Sequence, residues 1–466
     1  MSAIDPLSTA KSFPLWLEDK IDNSDRRASL DGNKSVDVAI VGGGFSGLWT
    51  AYYLLKHKPS TRVLVIEKSF CGYGASGRNG GWCKGAVAGG ANRYAALSSF
   101  EEVIKLQSAM FSAVDEVGLV AANEGISCGF KKSGLVRVAR NRAQALRQVS
   151  EVHQAEVSGF NSEVIRLLDK DEASRMLNAT SIHSGIFFAP TAALNPFELV
   201  QGLASAIERL GGKIVEQTEV LDIQDKRIRT SFGVVTADVV VQATEAYTRN
   251  FAGQKRHYLP IYSRMIATEP ISPKLLTELG LIERKAFSDD RYGVIYGLLT
   301  EDNRIAFGGR GTPTYLFGSR ITSKAESNSK SHSHVYKALL GLLPQLKGVA
   351  ITHRWGGVLA IPRNWLPGLR FNEKSGIGIL GGYVGSGVAS SNLAGRTMAD
   401  LILGRKTDRT YLPWVGGKSR HWEPEPFRSI GVMTSGALLK IADSYETKTG
   451  RTARVAEILA KAIRGS

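Results

Sequence analysis

The chain has 466 residues, 43% of them hydrophobic and 22% charged; this composition excludes a fibrous or disordered protein, and the length allows two domains or one large α/β unit. Its formal net charge of +16 favours an anionic ligand and leaves an acidic substrate, nucleic acid or a membrane face open. The three cysteines, Cys71, Cys83 and Cys128, lack metal-ligand spacing, which favours reduced thiols. No signal peptide is recognisable and no apolar stretch approaches the ~18 residues of a membrane span, so we expect a cytoplasmic protein.

The N-terminal region predicts a strand–turn–helix–strand unit. Residues 1–35 are mostly polar, and an aromatic patch at 13–17 predicts an arm that packs on the body of the protein. Residues 36–44 predict a buried parallel strand, 45–57 a helix and 62–67 a second strand. These segments together form one βαβ unit.

The turn between the first strand and the helix carries the pattern G-x-G-x-x-G. Gly42 permits the tight turn, Gly44 lets the backbone approach a pyrophosphate, and Gly47 allows the helix to pack against the strand. Glu67, at the end of the second strand, stands where an acid binds the adenosine ribose and argues against a 2′-phosphate. FAD and NAD both fit this pattern. The neighbouring residues assigned to the same site are Phe45, Ser46 and Lys68.

A second glycine cluster at 72–82 favours FAD over NAD. A simple dehydrogenase has no need of a polar glycine loop here, whereas a flavoprotein can wrap such a loop around the pyrophosphate and reach the isoalloxazine. Arg78 is suited to pair with phosphate, and Ser76 and Asn79 to hydrogen-bond the phosphate or the ribityl chain. The cofactor-binding residues predicted in this loop are Gly74, Ala75, Ser76, Arg78, Asn79, Gly80, Gly81 and Trp82.

The rest of the chain predicts an α/β fold: a Rossmann-type FAD-binding domain with an antiparallel-sheet substrate domain. A helix is predicted at 195–210, strands at 213–221 and 238–243, an antiparallel sheet within 257–312, and strand, glycine turn and helix at 376–403. The predicted FAD-binding domain comprises 1–92, 185–250 and 345–410. The substrate domain comprises 93–184 and 251–344, and 411–466 is a C-terminal helical extension.

The motif GASGRNGG after an FAD-type βαβ unit resembles the D-amino-acid-oxidase-like flavoprotein superfamily, and most of all its gamma-glutamylputrescine oxidase branch. The resemblance covers roughly residues 12–405 and includes NPFELVQGLASAIERLGGKIVEQTEV and the late GGYVGSGV turn. It implies that the backbone at Val220 lies against the adenine and that the late turn lies beside the flavin pyrimidine. The further cofactor-binding residues that it implies are Ala243, Thr244, Gly356, Gly382, Tyr383, Gly385, Ser386, Gly387 and Val388.

The resemblance also implies the chemistry. Flavin N5 takes a hydride from the carbon next to an amine nitrogen, the imine is hydrolysed to an aldehyde, and oxygen is reduced to hydrogen peroxide. Relatives that attach FAD covalently use a late cysteine, and none follows Cys128, so noncovalent FAD is expected. Leu359 stands near the place of the arginine that holds an α-carboxylate in amino-acid oxidases. This favours a primary or secondary amine, with any anionic group remote from the nitrogen.

Substrate-pocket residues are expected on the predicted sheet and the glycine loop. The predicted catalytic residues are Lys84, Arg310, Tyr262 and Trp82, and Arg264, Tyr296 and Tyr383 are further lining candidates. Either Arg304 or Lys84 could assist the reaction with oxygen.

Three alternatives remain open at this point. A dehydrogenase would use another electron acceptor, and a monooxygenase would need an NAD(P)H site, for which no second G-x-G-x-x-G of similar context exists. A tRNA-acting flavoprotein would explain the positive charge, but the basic residues are dispersed, so no nucleic-acid partner is expected. The expected partners are a small amine and molecular oxygen, and the oligomeric state is open.

Overall fold

The computed structural model describes residues 7–18, 26–224, 226–309 and 314–464, without the side chains of 460–464. In chain order the strands are β1 (Lys34–Val41), β2 (Val63–Ile66), β3 (Trp82–Lys84), β4 (Leu135–Ala139), β5 (Ile165–Leu168), β6 (Ser184–Phe188), β7 (Thr191–Ala193), β8 (Lys213–Val215), β9 (Val220–Gln224), β10 (Arg227–Thr230), β11 (Val234–Gln242), β12 (Leu259–Thr268), β13 (Ala286–Asp289), β14 (Ile295–Leu299), β15 (Ile305–Gly309), β16 (Ile351–Ile361), β17 (Gly368–Asn372) and β18 (Ile377–Gly381). The α-helices are α1 (Phe45–His57), α2 (Ala91–Ala95), α3 (Phe100–Asn123), α4 (Arg142–Val157), α5 (Lys170–Met176), α6 (Pro196–Arg209), α7 (Pro273–Leu279), α8 (Ser323–Glu326), α9 (Ser329–Leu342), α10 (Gly387–Ile402), α11 (Phe427–Thr449) and α12 (Arg454–Arg464).

The first sheet has the order β17-β18-β11-β1-β2-β8, with β10 and β9 continuing from β11. Its central strands β8, β2, β1, β11 and β18 are parallel. Val38 and Ile40 of β1 pack with α1, α6 and α10 in one apolar core. Ala39 and Val41 pack with Leu30 and Ile228 in a second cluster, so the last four residues of the strand are buried. This burial on both faces explains the continuous apolar sequence of the strand.

The second sheet has the order β16-β12-β15-β14-β13-β4-β6-β5 and is antiparallel except between β13 and β4. All ten residues of β12 are buried. Ile266 packs in the core that contains Val335 and Leu339 of α9, whereas its neighbour Met265 packs with Trp16 and Trp355 on the opposite face. The strand therefore has one face under helix α9 and one face toward the first sheet and the N-terminal arm.

The boundaries between the two sheets differ from the predicted division. Strand β6 lies in the second sheet although residues 185–250 were assigned to the FAD-binding domain, and β16 lies there although 345–410 were assigned likewise. The predicted strand 213–221 is two strands, β8 and β9, because the chain between them turns to pair its backbone with residues 67–69. The antiparallel sheet expected within 257–312 is formed by β12, β14 and β15.

The C-terminal extension packs on the second sheet through buried charges. Arg147 of α4 donates to both oxygens of the fully buried Glu446 in α11, at 2.8 and 2.9 Å. Asp443 accepts hydrogen bonds from the backbone N–H groups of Tyr292 and Gly293. Along the described residues, no helix combines the length and apolar character needed to cross a bilayer.

Candidate active site

The glycine turn after β1 is closed by contacts that a side chain would prevent. A Cβ atom at Gly47 would lie 2.1 Å from the carbonyl oxygen of Gly42, and a Cβ at Gly42 would lie 2.6 Å from the carbonyl oxygen of Ala243. Gly42 has φ +114°, a region that favours glycine. Gly44 is the N-cap of α1 and brings no capping side chain. The N-terminus of α1 is therefore not filled by a capping side chain of its own, and its backbone N–H groups favour an anion there.

Glu67 lies beside this turn, as the sequence predicts. Its two carboxylate oxygens accept hydrogen bonds from the backbone N–H groups of Gly43 and Ser69, each at 2.8 Å. Burial raises the pKa of Glu67, and these two backbone donors act against that rise. Each oxygen retains lone-pair capacity for a ribose hydroxyl.

The second glycine loop reaches the same helix terminus. The Ser76 hydroxyl accepts a hydrogen bond from the backbone N–H of Phe45 at 2.9 Å, so it stands at the place expected for a phosphate oxygen. Asn79 instead folds the loop on itself, since its side-chain amide donates to the carbonyl of Ser76 and its side-chain oxygen accepts from the N–H of Gly81. The indole N–H of Trp16 donates to the carbonyl of Asn79, which ties the N-terminal arm to the loop.

Arg78 is engaged with the second lobe. Its guanidinium donates to the carbonyl of Tyr73 at 2.6 Å and to Glu326 of α8 at 2.7 Å, and it lies 4.6 Å from the centre of the Tyr73 ring. Two of its three nitrogens therefore have protein partners. A phosphate contact by Arg78 remains a prediction. The phosphate would bind the third guanidinium nitrogen, or Glu326 would have to move away from Arg78 first.

The late glycine turn meets α1, although 337 positions separate the two residues that touch. The hydroxyls of Ser46 and Tyr383 lie 2.8 Å apart and share a hydrogen bond. Gly382 and Gly385 have φ values of +77° and +106°, so this turn needs glycine at both places. Ser386, the N-cap of α10, makes no side-chain capping bond, which leaves a second helix N-terminus open toward an anionic group. Gly387 and Val388 begin that helix, with Val388 buried in the core of the first sheet.

Glu245 is a buried acid whose role the sequence did not predict. One of its oxygens accepts hydrogen bonds from the N–H groups of Gly382 and Tyr383, at 2.9 and 3.3 Å. The other oxygen is buried without a hydrogen-bond partner among the described residues. Burial raises the pKa of Glu245 to about 7, and the φ of the residue is +43°. The available signal was a glutamate after Ala243-Thr244, where asparagine or glycine is commoner.

One face of the second sheet lies against the glycine loop. The hydroxyls of Tyr296 and Ser263 share a hydrogen bond at 2.8 Å. The rings of Trp82 and Tyr296 meet edge to face, with their centres 5.7 Å apart. A Cβ at Gly80 would lie 2.6 Å from the Tyr296 ring. Gly357 pairs with Ser263, and a Cβ there would meet nothing closer than 3.8 Å. The structure thus brings Trp82 and Tyr296 together on the face of the sheet where Gly357 lies, and a Cβ at Gly357 would make only an ordinary contact with Arg78.

The other face of the same strands holds residues that were placed in the pocket by sequence. The Tyr262 hydroxyl donates to the carbonyl of Arg320 and accepts from the N–H of Thr322, so the loop before α8 covers it. Arg264 is fully buried and donates to the carbonyl of Ala325. Gly356 pairs with Arg264, and its Cβ would lie 3.0 Å from Glu326. Because alternate residues face opposite sides, Ser263 and Gly357 are the ones that face the glycine loop.

Lys84 lies one pleat from Trp82, on the same face of the β3–β7 ribbon. Its ammonium is 5.5 Å from the Phe188 ring centre. Burial, reinforced by the nearby Arg137 charge, lowers the pKa of Lys84 to about 8. Arg310 lies outside the described residues. Arg304 is bound to Asp302 and Thr352, away from the loop.

Some of the remaining predicted cofactor residues lie at the glycine turn and the second glycine loop, and the others lie away from them. Ala243 abuts Gly42, and the Thr244 hydroxyl bonds that of Thr248 at 2.8 Å, so both stand at the turn. Val220 begins β9, whereas the backbone that pairs with the carbonyl of Glu67 is that of Thr218. Lys68 is exposed and pairs with Glu219 at 2.5 Å. Gly74, Ala75 and Gly81 shape the second glycine loop.

Comparison with known proteins identifies the family. The family described as FAD dependent oxidoreductase, or DAO, matches residues 37–401. The chain belongs to this family. It is 29% identical over 378 residues to the probable oxidoreductase OrdL of Haemophilus influenzae, covering 79% of this chain and 83% of the relative. It is 28% identical over 415 residues to the gamma-glutamylputrescine oxidoreductase of Escherichia coli, covering 86% and 92%.

Solved structures of other proteins share the fold. The glycine oxidase of Geobacillus kaustophilus superposes with a TM-score of 0.68 at 22% identity, covering 84% of this chain and all of that one. The L-proline dehydrogenase of P. horikoshii gives a TM-score of 0.66 at 22% identity, covering 83% and 98%. The predicted fold of a Rossmann FAD-binding unit with a second lobe is confirmed.

The protein is an FAD-dependent oxidoreductase, and its own residues fit that cofactor. Gly42, Gly44 and Gly47 leave backbone room at the α1 N-terminus, Glu67 stands beside it, and α10 offers a second uncapped N-terminus. The described residues contain no cluster of three or more His, Cys, Asp or Glu side chains that could hold a metal ion.

Proposed function

We propose that the protein oxidises the carbon–nitrogen bond of a primary or secondary amine. The observation that supports the proposal is the junction of the glycine loop, the late turn and the Ser263–Gly357 face of the second sheet. There a glycine without a side chain lies beside the residues that fit FAD. The flavin would supply the acceptor for a hydride from the carbon next to nitrogen. Overall, amine, oxygen and water would give aldehyde, ammonia or a smaller amine, and hydrogen peroxide.

The substrate would be an amine rather than an α-amino acid. Leu359 lies two residues after Gly357 on the same face of β16, and it packs against the apolar cluster of Leu259, Ile261 and Ile361. A carboxylate next to the amine would meet this apolar surface and lose its hydration without a charged partner there. The similarity to a gamma-glutamylputrescine oxidoreductase supports the same substrate class. Any acidic group of the substrate would then lie far from the nitrogen.

The chain would hold FAD without a covalent bond. Cys71, Cys83 and Cys128 are all free and buried. Burial raises the pKa of each thiol, that of Cys128 to about 11, so none is readily available as a thiolate nucleophile. Release of intact FAD on denaturation would test this attachment.

The function is tested by anaerobic titration of the holoenzyme with amines while its visible flavin absorbance is followed. The panel holds putrescine, gamma-glutamylputrescine, N-methylated amines, aminophosphonates and α-amino acids. We expect an amine to bleach the flavin, and colour and peroxide to appear on admitting air. Return of colour only with an artificial acceptor would make the enzyme a dehydrogenase. Bleaching by NADPH alone would replace the proposal with a monooxygenase.

Lys84 is our candidate for assisting oxygen reduction, because a desolvated ammonium near the site favours transfer of electrons to oxygen. Replacing Lys84 by Met should slow reoxidation in air about a hundredfold and leave anaerobic bleaching within about threefold. Since the pKa of Lys84 is lowered to about 8, the wild-type reoxidation rate should fall as the pH rises through that value, and the variant should lack this step. Stopped-flow mixing measures both half-reactions.

The matched control is Lys105→Met, which removes an exposed ammonium on α3 that pairs with Glu101 and Glu102. It should leave both half-reactions unchanged. An equal loss in bleaching and reoxidation for Lys84→Met would assign the lysine a structural or substrate-binding role instead.

A further inference from the structure

A separate cavity of about 270 Å³ lies beside the late turn. It is bounded by α2, by the connection from β16 to β17, and by residues 413–419, which follow the family-matched region ending at 401. Its walls therefore combine the shared fold with the C-terminal extension of this chain.

The cavity is lined by positively charged side chains. Arg93, Arg370 and Lys418 line it, and no Asp or Glu is among its described lining residues. Arg93 donates to the carbonyl of Asn364. Within the described part of the chain, neither Arg370 nor Lys418 has an ion pair. Burial and the adjacent Arg370 charge lower the pKa of His257, another lining residue, to about 4.

Two buried donors in the wall lack partners. The hydroxyl of Tyr94 and the indole N–H of Trp414 make no hydrogen bond to any described residue, and the two side chains are 0% and 2% exposed. Neither atom is accessible to a water-sized group, so the two side chains contribute aromatic wall rather than donors to the cavity. Cations and aromatic walls without an acidic lining residue match a small organic anion.

The late turn packs directly on two residues of the cavity wall. A Cβ at Gly382 would lie 2.6 Å from Pro362 and 2.9 Å from Tyr258, both of which line the cavity. We propose that this cavity is a second ligand site, distinct from the flavin and amine site, for a small anion bearing a carboxylate or phosphate group. Arg370 and Lys418 supply charge, and Tyr94 and Trp414 supply part of the aromatic wall.

The test is calorimetric titration of the holoenzyme with inorganic phosphate and, separately, with succinate, both at constant ionic strength set by chloride. Saturable binding of either anion is expected. Arg370→Gln should weaken that binding by about tenfold or more, because it removes a charged donor. Trp414→Phe keeps the aromatic wall and removes only an N–H that the cavity does not reach, so it should bind as the wild type does. Binding of phosphate alone would assign a phosphoryl ligand, and binding of succinate alone a carboxylate ligand.

Lys213→Gln, at an exposed lysine on β8, is the matched control and should bind as the wild type does. Both Arg370→Gln and Trp414→Phe should retain bound flavin and its bleaching by the amine, which separates this site from the proposed catalytic function. Absence of saturable binding, or equal affinity in Arg370→Gln and wild type, would overturn the proposal.

Discussion

Gly47→Ala should leave the purified protein with less than about a tenth of the wild-type flavin content. The new methyl carbon would lie 2.1 Å from the carbonyl oxygen of Gly42, closer than non-bonded atoms approach. The turn must open to relieve this contact, which moves the N-terminus of α1 away from the place of the pyrophosphate. A shift that costs more than about 1.4 kcal/mol of binding free energy already lowers affinity tenfold. Visible absorbance relative to protein absorbance measures the loading.

Gly341→Ala is the matched control, because a Cβ at Gly341 in helix α9 would meet nothing within 4 Å. It should retain full flavin loading. Since Gly47→Ala could also destabilise the fold, circular dichroism and thermal unfolding without FAD are measured for both variants. A folded Gly47→Ala protein with normal flavin content would contradict the prediction that the FAD pyrophosphate binds at the N-terminus of α1.

Local motifs made the nucleotide-binding half of the fold predictable. The sequence places the first helix at 45–57, and the structure has Phe45–His57. It places Asn195 as the cap and Pro196 as the first residue of α6, and the Asn195 side chain indeed accepts from the N–H groups of Phe197 and Glu198. Helix caps, glycine turns and apolar runs depend on only a few neighbouring residues, so they can be recognised from the sequence alone.

The substrate side was less predictable because β12 is buried over its whole length. Alternation of apolar and polar residues normally tells which side of a strand faces a pocket, and here neither side faces water. Tyr262 and Arg264 consequently read as pocket residues, whereas α8 and its preceding loop cover them. The residues on the other side are Ser263 and Met265, which no polar pattern distinguished.

Long-range pairs were equally hidden. Glu245 and Gly382 are 137 positions apart, and only the parallel pairing of β11 with β18 brings them together. Arg78 and Glu326 are 248 positions apart. From the glycine loop alone, a phosphate was the natural partner to infer for Arg78. The carboxylate that lies beside Arg78 belongs to Glu326 of α8, which no local pattern places near the loop. The charges that decide a residue's role were therefore set by tertiary contacts.

Glu245 should make the protein less stable as the medium becomes alkaline. The pKa of Glu245 is raised from its ordinary value of 4.5 to about 7, because burial removes water from the carboxylate. The folded state thus binds the proton more tightly than the unfolded chain does. This contribution to stability is complete below the unfolded pKa and is lost as the pH rises through about 7. Glu245→Gln keeps an acceptor oxygen for the N–H groups of Gly382 and Tyr383 but cannot ionise.

The Gln variant should therefore match the wild type in urea unfolding near pH 4.5 and exceed it by about 2 kcal/mol near pH 8. Both proteins are compared at the same saturating FAD concentration, so that ligand binding contributes equally. Glu373→Gln, at an exposed acid in the turn after β17, controls for the loss of one negative charge and should show no such change with pH. If the difference between Glu245→Gln and wild type is the same at both pH values, the carboxyl does not titrate in this range. The pKa of Glu245 would then be close to its ordinary value, and the carboxylate would be ionised at both pH values. A buried ionised carboxylate needs hydrogen-bond donors, so the unpaired oxygen of Glu245 would have to be bound by water or by another group.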